Sequence, residues 1–150
     1  MGHSYTNLLY HMVFSTKDRQ PWLDTDTSER LYDYLGGAIR SESGTSLGIN
    51  GCADHMHILA KLRQDKAVSD VLRAIKANSS GWIHREFPKL RAFGWQRGYG
   101  AFTVSQSQVK KVQRYIANQQ AHHRRMSFKE EFIALLEANE IEYDEKYLWD

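Results

Sequence analysis

The chain has 150 residues, 41% of them hydrophobic and 25% charged, so it is long enough to bury one core but not two of comparable size. It has no apolar run of about 20 residues and no signal-peptide pattern at its start, so we expect neither a membrane-spanning helix nor a secretory leader. Its single cysteine excludes a disulfide or a thiolate zinc site within the chain. The formal net charge of +2 conceals a basic body, with nineteen basic and ten acidic residues up to Lys129, which is compatible with a nucleic-acid partner or with an ordinary solvated surface.

The first half of the chain predicts a strand, a helix and two strands. A strand is predicted over residues 5–16, which are rich in aromatic and β-branched side chains and end in a polar loop. A helix is predicted over 25–41, where apolar residues recur at helical spacing behind a Thr25–Thr27 cluster that can cap the first turn. Two short strands are then predicted over 46–53 and 55–62, after a Ser-Gly-Thr turn.

The second half predicts the order helix, strand, helix, helix. An amphipathic helix is predicted over 66–87, just before Pro88, and a Gly-rich stretch leads into a strand over 101–105. Helices are predicted over 108–124 and 128–139. The order predicts an α+β fold of the ferredoxin-like split βαβ type, with an antiparallel sheet, helices on one face and additional C-terminal helices.

We expect one cytoplasmic domain over residues 1–150, in which residues 126–150 form an acidic C-terminal helix and tail. Eight of the eighteen acidic residues lie from Glu130 onward, opposed there only by Lys146. This segment either covers a basic surface or keeps the protein in solution.

Two histidines flank one apolar residue on the strand predicted over 55–62. Because side chains of a strand alternate between its faces, His55 and His57 project together and can bind one ion. A pair of hydrogen-bonded structural histidines is an alternative that this pattern leaves open.

Three polar side chains lie along one edge of the buried stripe of the helix over 108–124. Tyr115, Gln119 and His122 occupy positions i, i+4 and i+7, which share one surface, although on an isolated helix they could equally be solvated. If this helix meets the histidine strand, His55, His57 and Gln119 would hold a divalent ion with open positions for a phosphate oxygen. Tyr115 would then be close enough to act as a nucleophile on the same phosphorus.

Five sequence blocks carry a resemblance to a known family. They are residues 10–17 (YHMVFSTK), 54–59 (DHMHIL), 76–82 (KANSSGW), 95–102 (WQRGYGAF) and 115–123 (YIANQQAHH). Together, in this order and over nearly the whole chain, they resemble the single-tyrosine HUH transposases of bacterial insertion sequences, the TnpA type of the IS200 class.

The resemblance implies a set of roles. His55 and His57 match the HUH pair, Tyr115 the nucleophile and Gln119 the third metal ligand, with Mg²⁺ or Mn²⁺ as the ion. The implied enzyme is a metal-dependent single-strand DNA endonuclease and strand transferase, which cuts beside a hairpin at an element end and leaves a 5′-phosphotyrosine and a free 3′-hydroxyl. The implied assembly is a homodimer in which the tyrosine helix can complete the active site of the partner subunit.

Other residues are candidates for binding DNA or for orienting the metal ligands. Cations beside aromatic rings suit unpaired bases and their phosphates. The DNA-binding candidates are Lys17, Arg19, Arg73, Lys76, Arg85, Trp95, Arg97 and Tyr99. Asp54, His122 and His123 are candidates for orienting the ligands through hydrogen bonds. A solvated surface for the cations and burial for Trp95 are the alternatives.

Three other functions stay open. A domesticated relative would use the same chemistry on repeated chromosomal palindromes, and the flanking DNA would distinguish it. A ferredoxin-like nucleic-acid-binding module would use its histidines structurally, cut no strand and lose nothing in a Tyr115→Phe variant. A metal-dependent phosphodiesterase would attack with water and form no covalent protein–DNA species.

Overall fold

A four-stranded antiparallel sheet forms the centre of the molecule in the computed structural model, which describes residues 2–150. The strands are β1 (Leu8–Ser15), β2 (Thr45–Cys52), β3 (His55–Leu62) and β4 (Gly100–Val104), in the spatial order β2-β3-β1-β4. Strand β1 pairs with β3 on one side and β4 on the other, and all the pairs are antiparallel. This arrangement confirms the predicted ferredoxin-like α+β fold.

Two long helices cover one face of the sheet. Helices α1 (Thr25–Ser41) and α2 (Val68–Glu86) bury their apolar stripes against the side chains of β1 and β3 that point to this face. The strand residues in this main core include Met12, Phe14, Met56 and Ile58, which are fully buried. Each such side chain contributes about 1.5–3 kcal/mol by leaving water, so this face supplies much of the stability of the fold.

The C-terminal helices cover the opposite face, which carries the histidines. They are α3 (Val109–Ala117), α4 (Gln119–His122) and α5 (Phe128–Ala138). Helices α3 and α5 each contribute to one of two smaller apolar clusters there. Because side chains alternate along a strand, the neighbours of Met12, Met56 and Ile58 point to this second face. His11, His55 and His57 are among them, and all three are buried.

The helix predicted over 108–124 is broken in the structure. Its chain leaves helical geometry at Asn118, with φ −96° and ψ 16°, between α3 and α4. The Asn50 side chain of β2 donates to the carbonyl oxygens of Ile116 and Ala117, at 2.9 and 3.3 Å. A single continuous helix was therefore the wrong prediction, because a contact from the sheet satisfies the carbonyl groups at the break.

Two smaller differences concern element ends. Strand β1 begins at Leu8 and not at Tyr5. Helix α1 is capped by Asp24, whose carboxylate accepts from the Thr27 backbone N–H at 2.8 Å, and not by the Thr25–Thr27 cluster. No helix within residues 2–150 is long and apolar enough to cross a membrane.

Helix α5 is fixed at its start and along its length. Ser127 and Glu130 form a capping box at its N-terminus. Phe132 packs where Gly100 of β4 has no side chain, since a Cβ atom on Gly100 would lie 2.8 Å from the Phe132 ring. The sheet therefore has room for this helix only because residue 100 is glycine.

Candidate active site

His55 and His57 of β3 lie side by side beneath the C-terminal helices and are fully buried. His55 Nδ1 is 2.7 Å from Asp54 Oδ1, and His57 Nδ1 is 2.8 Å from His11 Nε2. Because both Nδ1 atoms have partners, both Nε2 atoms are left to face the same point. Asp54 thus lies where the sequence analysis expected an orienting group. His11 is an additional orienting residue, on β1, that the sequence analysis did not name.

Tyr115 and Gln119 reach the same point from α3 and α4. The Gln119 amide oxygen lies 2.9 Å from His55 Nε2, and Gln119 is fully buried. The Tyr115 ring lies edge-on to the His57 ring, with centroids 5.7 Å apart. One chain therefore brings together the four residues that the resemblance implied, Tyr115, His55, His57 and Gln119.

A carboxylate that the sequence analysis missed lies at the centre of this group. Glu131 of α5 is only 1% exposed. Its Oε1 is 3.0 Å from His57 Nε2, and its Oε2 accepts from the Gln119 amide at 2.9 Å and from the Tyr115 hydroxyl. The sequence carried one signal of this residue. Glu131 follows Phe128 by three positions and precedes Phe132, so it is a charged residue at a position of the apolar stripe of the helix, where a carboxylate is buried only with a partner.

His122 and His123 complete the surroundings of Glu131. His123 Nε2 lies 2.8 Å from Glu131 Oε1, and His122 Nε2 lies 3.5 Å from Oε2. The His122 nitrogen is buried and has no hydrogen-bond partner among residues 2–150. Both histidines therefore face the Glu131 carboxylate directly and do not act only as hydrogen-bond partners of a ligand.

The donor atoms are close enough to share one ion. One ligand atom each from His55, His57, His123 and Glu131 lies within 4.8 Å of the other three. Imidazole nitrogen with carboxylate or amide oxygen is a donor set that divalent cations accept.

Burial and hydrogen bonds set the protonation states in the site. Burial lowers the pKa of His57 to about 4 and that of His11 to about 3, which keeps both imidazoles neutral, the form that binds metals. Burial opposes the charge on Glu131, but hydrogen bonds from His57 and Tyr115 outweigh it and hold the pKa of Glu131 below its ordinary range. Burial, with the Glu131 carboxylate, raises the pKa of Tyr115 above its ordinary value. Tyr115 is therefore a neutral phenol in the ion-free protein.

Most of the DNA-binding candidates gather on the other side of the molecule, in one open cavity of about 430 Å³. Arg73, Lys76, Trp95, Arg97 and Tyr99 line it. Lys76 Nζ donates to the carbonyl oxygens of Arg97 and Gly98 at 3.1 and 3.0 Å, and burial lowers the pKa of Lys76 to about 8. The cavity therefore combines cations with aromatic rings.

The other candidates lie around this cavity or apart from it. Lys17 borders a neighbouring groove that also includes Arg97, and the Arg19 guanidinium lies 4.2 Å from the centroid of the Trp149 ring. Arg85 is exposed in the last turn of α2. Trp95 is partly buried against the main core, where its indole N–H donates to Ser79 at 2.9 Å.

Comparisons with known proteins show the family to which the chain belongs. The family model described as "Transposase IS200 like" matches residues 4–119. The transposase for insertion sequence element IS200 of Salmonella typhimurium is 29% identical over 125 residues, covering 79% of this chain and 81% of the relative. The ISDra2 transposase TnpA of Deinococcus radiodurans is 26% identical over 123 residues, covering 79% and 87%.

Two solved structures have a similar fold. The crystal structure of a candidate transposase of Deinococcus radiodurans superimposes with a TM-score of 0.66 at 26% identity, covering 79% of this chain and 96% of that one. A REP-associated tyrosine transposase bound to a REP hairpin superimposes with a TM-score of 0.61, covering 82% and 73% of the two chains. At 17% identity the second structure shows likeness of fold alone.

Proposed function

Since the chain belongs to the family of IS200-like transposases, we propose that it nicks and rejoins single-stranded DNA at hairpin-bearing ends. In this proposal Tyr115 is the nucleophile, and His55, His57 and Gln119 hold a divalent ion. The observation that carries the proposal is the meeting of a phenol, two imidazole Nε2 atoms and an amide at one buried point. Because helix α5 also contributes a residue, Glu131, to this group, we propose that residues 1–150 form one functional domain.

The residues present fit a divalent metal. Two neutral imidazoles and an amide oxygen leave the charge of an ion uncancelled. In addition, the buried Nε2 atom of His122 has no hydrogen-bond partner among residues 2–150, so the ion-free protein leaves one nitrogen of the site unsatisfied. Mg²⁺ or Mn²⁺ is the ion that we propose. When bound, it supplies Lewis-acid stabilisation of the negative charge that builds up on the phosphate.

The proposed cleavage step exchanges one phosphodiester bond for another. The Tyr115 oxygen bonds to phosphorus while the bond from phosphorus to the 3′-oxygen breaks, and that oxygen takes up a proton to become a free 3′-hydroxyl. The phenolic proton leaves at the same time, and the hydrogen-bonded Glu131 carboxylate is its nearest acceptor. A 5′-phosphotyrosine remains on the protein.

Rejoining is the same exchange in reverse. The 3′-hydroxyl of another DNA end bonds to the phosphorus, and Tyr115 leaves and recovers a proton. The phosphotyrosine conserves the energy of the cleaved bond, so no nucleotide cofactor is required.

The proposed substrate is supported by charge and by the structural neighbour. A REP-associated tyrosine transposase of the same fold is bound to a REP hairpin. In this chain, the cavity lined by Arg73, Lys76, Arg97 and Tyr99 offers cations and an aromatic ring for an unpaired base with its phosphate. We propose this cavity as part of the DNA-binding surface.

The test is incubation with Mn²⁺ and hairpin DNA from the flanks of the gene, followed by denaturing gel electrophoresis. DNA labelled at its 3′ end should give a band that carries protein, and DNA labelled at its 5′ end should give a shortened product with a free 3′-hydroxyl. Tyr115→Phe should abolish both products. Tyr5→Phe, at a side chain that is 92% exposed, is the matched control and should retain them.

Other outcomes distinguish the alternatives. Cleaved DNA without the protein-bound band would indicate hydrolysis by water, and binding without cleavage would indicate a binding module. Cleavage of chromosomal palindromes in preference to the gene's own flanks would indicate a domesticated relative.

A further inference from the structure

The buried carboxylate of Glu131 contacts nearly every group in the candidate active site, yet it lies outside the part of the chain that matches the family. The matched residues end at Gln119, whereas α5 begins at Phe128. We propose that Glu131 is itself a ligand of the divalent ion, so that the C-terminal helix α5 is part of the metal centre. This inference rests on the proposed metal-dependent function.

The distances suit a ligand that shares an ion with the histidines. Glu131 Oε1 lies 2.8 Å from His123 Nε2, 3.0 Å from His57 Nε2 and 3.5 Å from His55 Nε2. Two donors bound next to each other at about 2.1 Å from one ion are about 3 Å apart. Oε1 therefore already has the spacing from these nitrogens that neighbouring ligands have.

The histidines present the correct nitrogens to Glu131. The Nδ1 atoms of His55 and His57 are occupied by Asp54 and His11, so the Nε2 lone pairs are available to an ion when Nδ1 carries the proton. Both Nε2 atoms face Glu131 Oε1.

The charge of Glu131 lacks a permanent counterion. Within residues 2–150, its ion-pair partners are the imidazoles of His55, His57, His122 and His123, with no lysine or arginine among them. A buried carboxylate is costly unless it is paired with a charge or coordinates a metal. A divalent cation at this point would provide the missing positive charge.

The position of Glu131 is built into the fold. The capping box fixes the first turn of α5, and the Phe128 ring stacks on the His55 ring with centroids 4.2 Å apart. Phe132 fills the space that Gly100 leaves open. These contacts on both sides of residue 131 hold its carboxylate against the histidines.

The second oxygen gives Glu131 a further role. Oε2 accepts from the Tyr115 hydroxyl and from the Gln119 amide. A carboxylate that binds the ion through Oε1 can keep Tyr115 beside that ion through Oε2. The centre then gains a negative ligand, so it should bind the ion more tightly than two histidines and an amide would.

The test is Mn²⁺ binding to the purified full-length protein without DNA, followed by the loss of the free Mn²⁺ electron paramagnetic resonance signal. We expect Glu131→Gln to weaken binding at least tenfold, while Glu137→Gln, at an exposed position on the same helix, leaves it unchanged. His55→Ala sets the level expected when one of the histidine ligands of the proposed function is lost. The melting temperature of the metal-free variants shows whether each is folded, and Glu131→Asp replaces Glu131→Gln if the latter is not.

The outcomes separate this inference from the proposed function. Unchanged or tighter Mn²⁺ binding by folded Glu131→Gln, with binding lost in His55→Ala, would overturn the role of Glu131 and leave the histidine site intact. Absence of Mn²⁺ binding in the unaltered protein would overturn both. A rise in melting temperature on adding Mn²⁺ that is lost in Glu131→Gln and kept in Glu137→Gln would support the inference independently.

Discussion

His11 is hydrogen-bonded to the candidate metal site through His57. Its Nε2 lies 2.8 Å from His57 Nδ1, and burial lowers the pKa of His11 to about 3, so the neutral ring of His11 can accept a hydrogen bond from His57 Nδ1. When an ion is bound, this tautomer directs the Nε2 lone pair of His57 at the ion. His11 is in this sense a positioning residue.

We predict that His11→Ala weakens Mn²⁺ binding by about 10- to 100-fold, the usual effect of removing the hydrogen-bond partner of a ligating histidine. Isothermal titration calorimetry of the DNA-free protein measures it. His84→Ala removes a histidine of α2 that bonds to the Phe93 carbonyl oxygen, away from the site, and should leave the affinity unchanged. Equal affinities in the His11→Ala and unaltered proteins would contradict the role.

The sequence was informative about residues that share one element. Strand alternation places His55 and His57 together, and helical spacing relates Tyr115 to Gln119. His11 depends instead on the register between β1 and β3, in which it pairs with Leu59 and is diagonal to His57. Glu131 depends on where α5 docks. Register and docking are tertiary properties that the spacing within one segment does not contain.

At the scale of elements, the break between α3 and α4 is held by β2. The Asn50 amide donates to the carbonyl oxygens of Ile116 and Ala117 and to Gln120 Oε1, and it accepts from Gln120 Nε2 at 2.9 Å. Tyr115 lies just before the break and Gln119 just after it. Asn50 therefore fixes the angle at which both side chains enter the site.

We predict that Asn50→Ala lowers the free energy of unfolding by roughly 1–3 kcal/mol, because carbonyl groups at the break lose their donor. Hydrogen exchange of the amides of α4 should also become faster than in the unaltered protein. Asn7→Ala, which removes one exposed hydrogen bond to Gln106, is the control and should have little effect. An unchanged exchange rate in α4 would show that Asn50 does not hold the break.

Most elements could be predicted because each has a strong local pattern. The strand His55–Leu62 and the helix Thr25–Ser41 have the predicted ends. The break at Asn118 could not be predicted, because Ile116 and Gln119 are both buried and the pattern of burial continues across it. The carbonyl groups at the break are satisfied by a side chain 66 positions away in the sequence.

At the scale of the whole molecule, two buried histidines link stability to pH. The pKa values of His57 and His11 are lowered from 6.5 to about 4 and about 3 in the folded protein. In the unfolded chain both take up protons below pH 6.5, so unfolding consumes protons. The free energy of unfolding is therefore highest above pH 6.5, where both histidines are neutral in either state. It falls as the pH falls towards 4, because the unfolded chain binds protons that the folded protein does not.

We predict that the free energy of unfolding of the metal-free protein falls by about 2.7 kcal/mol per pH unit between pH 6 and pH 5, which corresponds to about two protons. Urea titrations at several pH values measure this slope. In the His11→Ala variant the slope should fall to the value that corresponds to about one proton. A free energy of unfolding that is flat or rises as the pH falls through this range would contradict the neutral state of the pair.

The assembly of the site within one chain leads to another prediction. The resemblance implies a homodimer, and in such a dimer Tyr115 could serve either subunit. In the structure, Tyr115 and His57 of the same chain both contact the carboxylate of Glu131. We therefore predict that mixing Tyr115→Phe protein with His57→Ala protein restores no cleavage of labelled DNA. Restored cleavage would show that the tyrosine acts in the partner subunit, and sedimentation of the mixture would establish whether dimers formed.

The central claim is that Tyr115 becomes covalently linked to DNA. Reaction with hairpin DNA and Mn²⁺, digestion with nuclease and trypsin, and mass spectrometry would locate the link, since cleavage after Arg114 and Arg124 releases a peptide that contains Tyr115 and no other tyrosine. We predict a nucleotide joined through its 5′-phosphate to the peptide 115–124. A nucleotide on a different peptide, or complete cleavage of the DNA with every peptide unmodified, would contradict the claim.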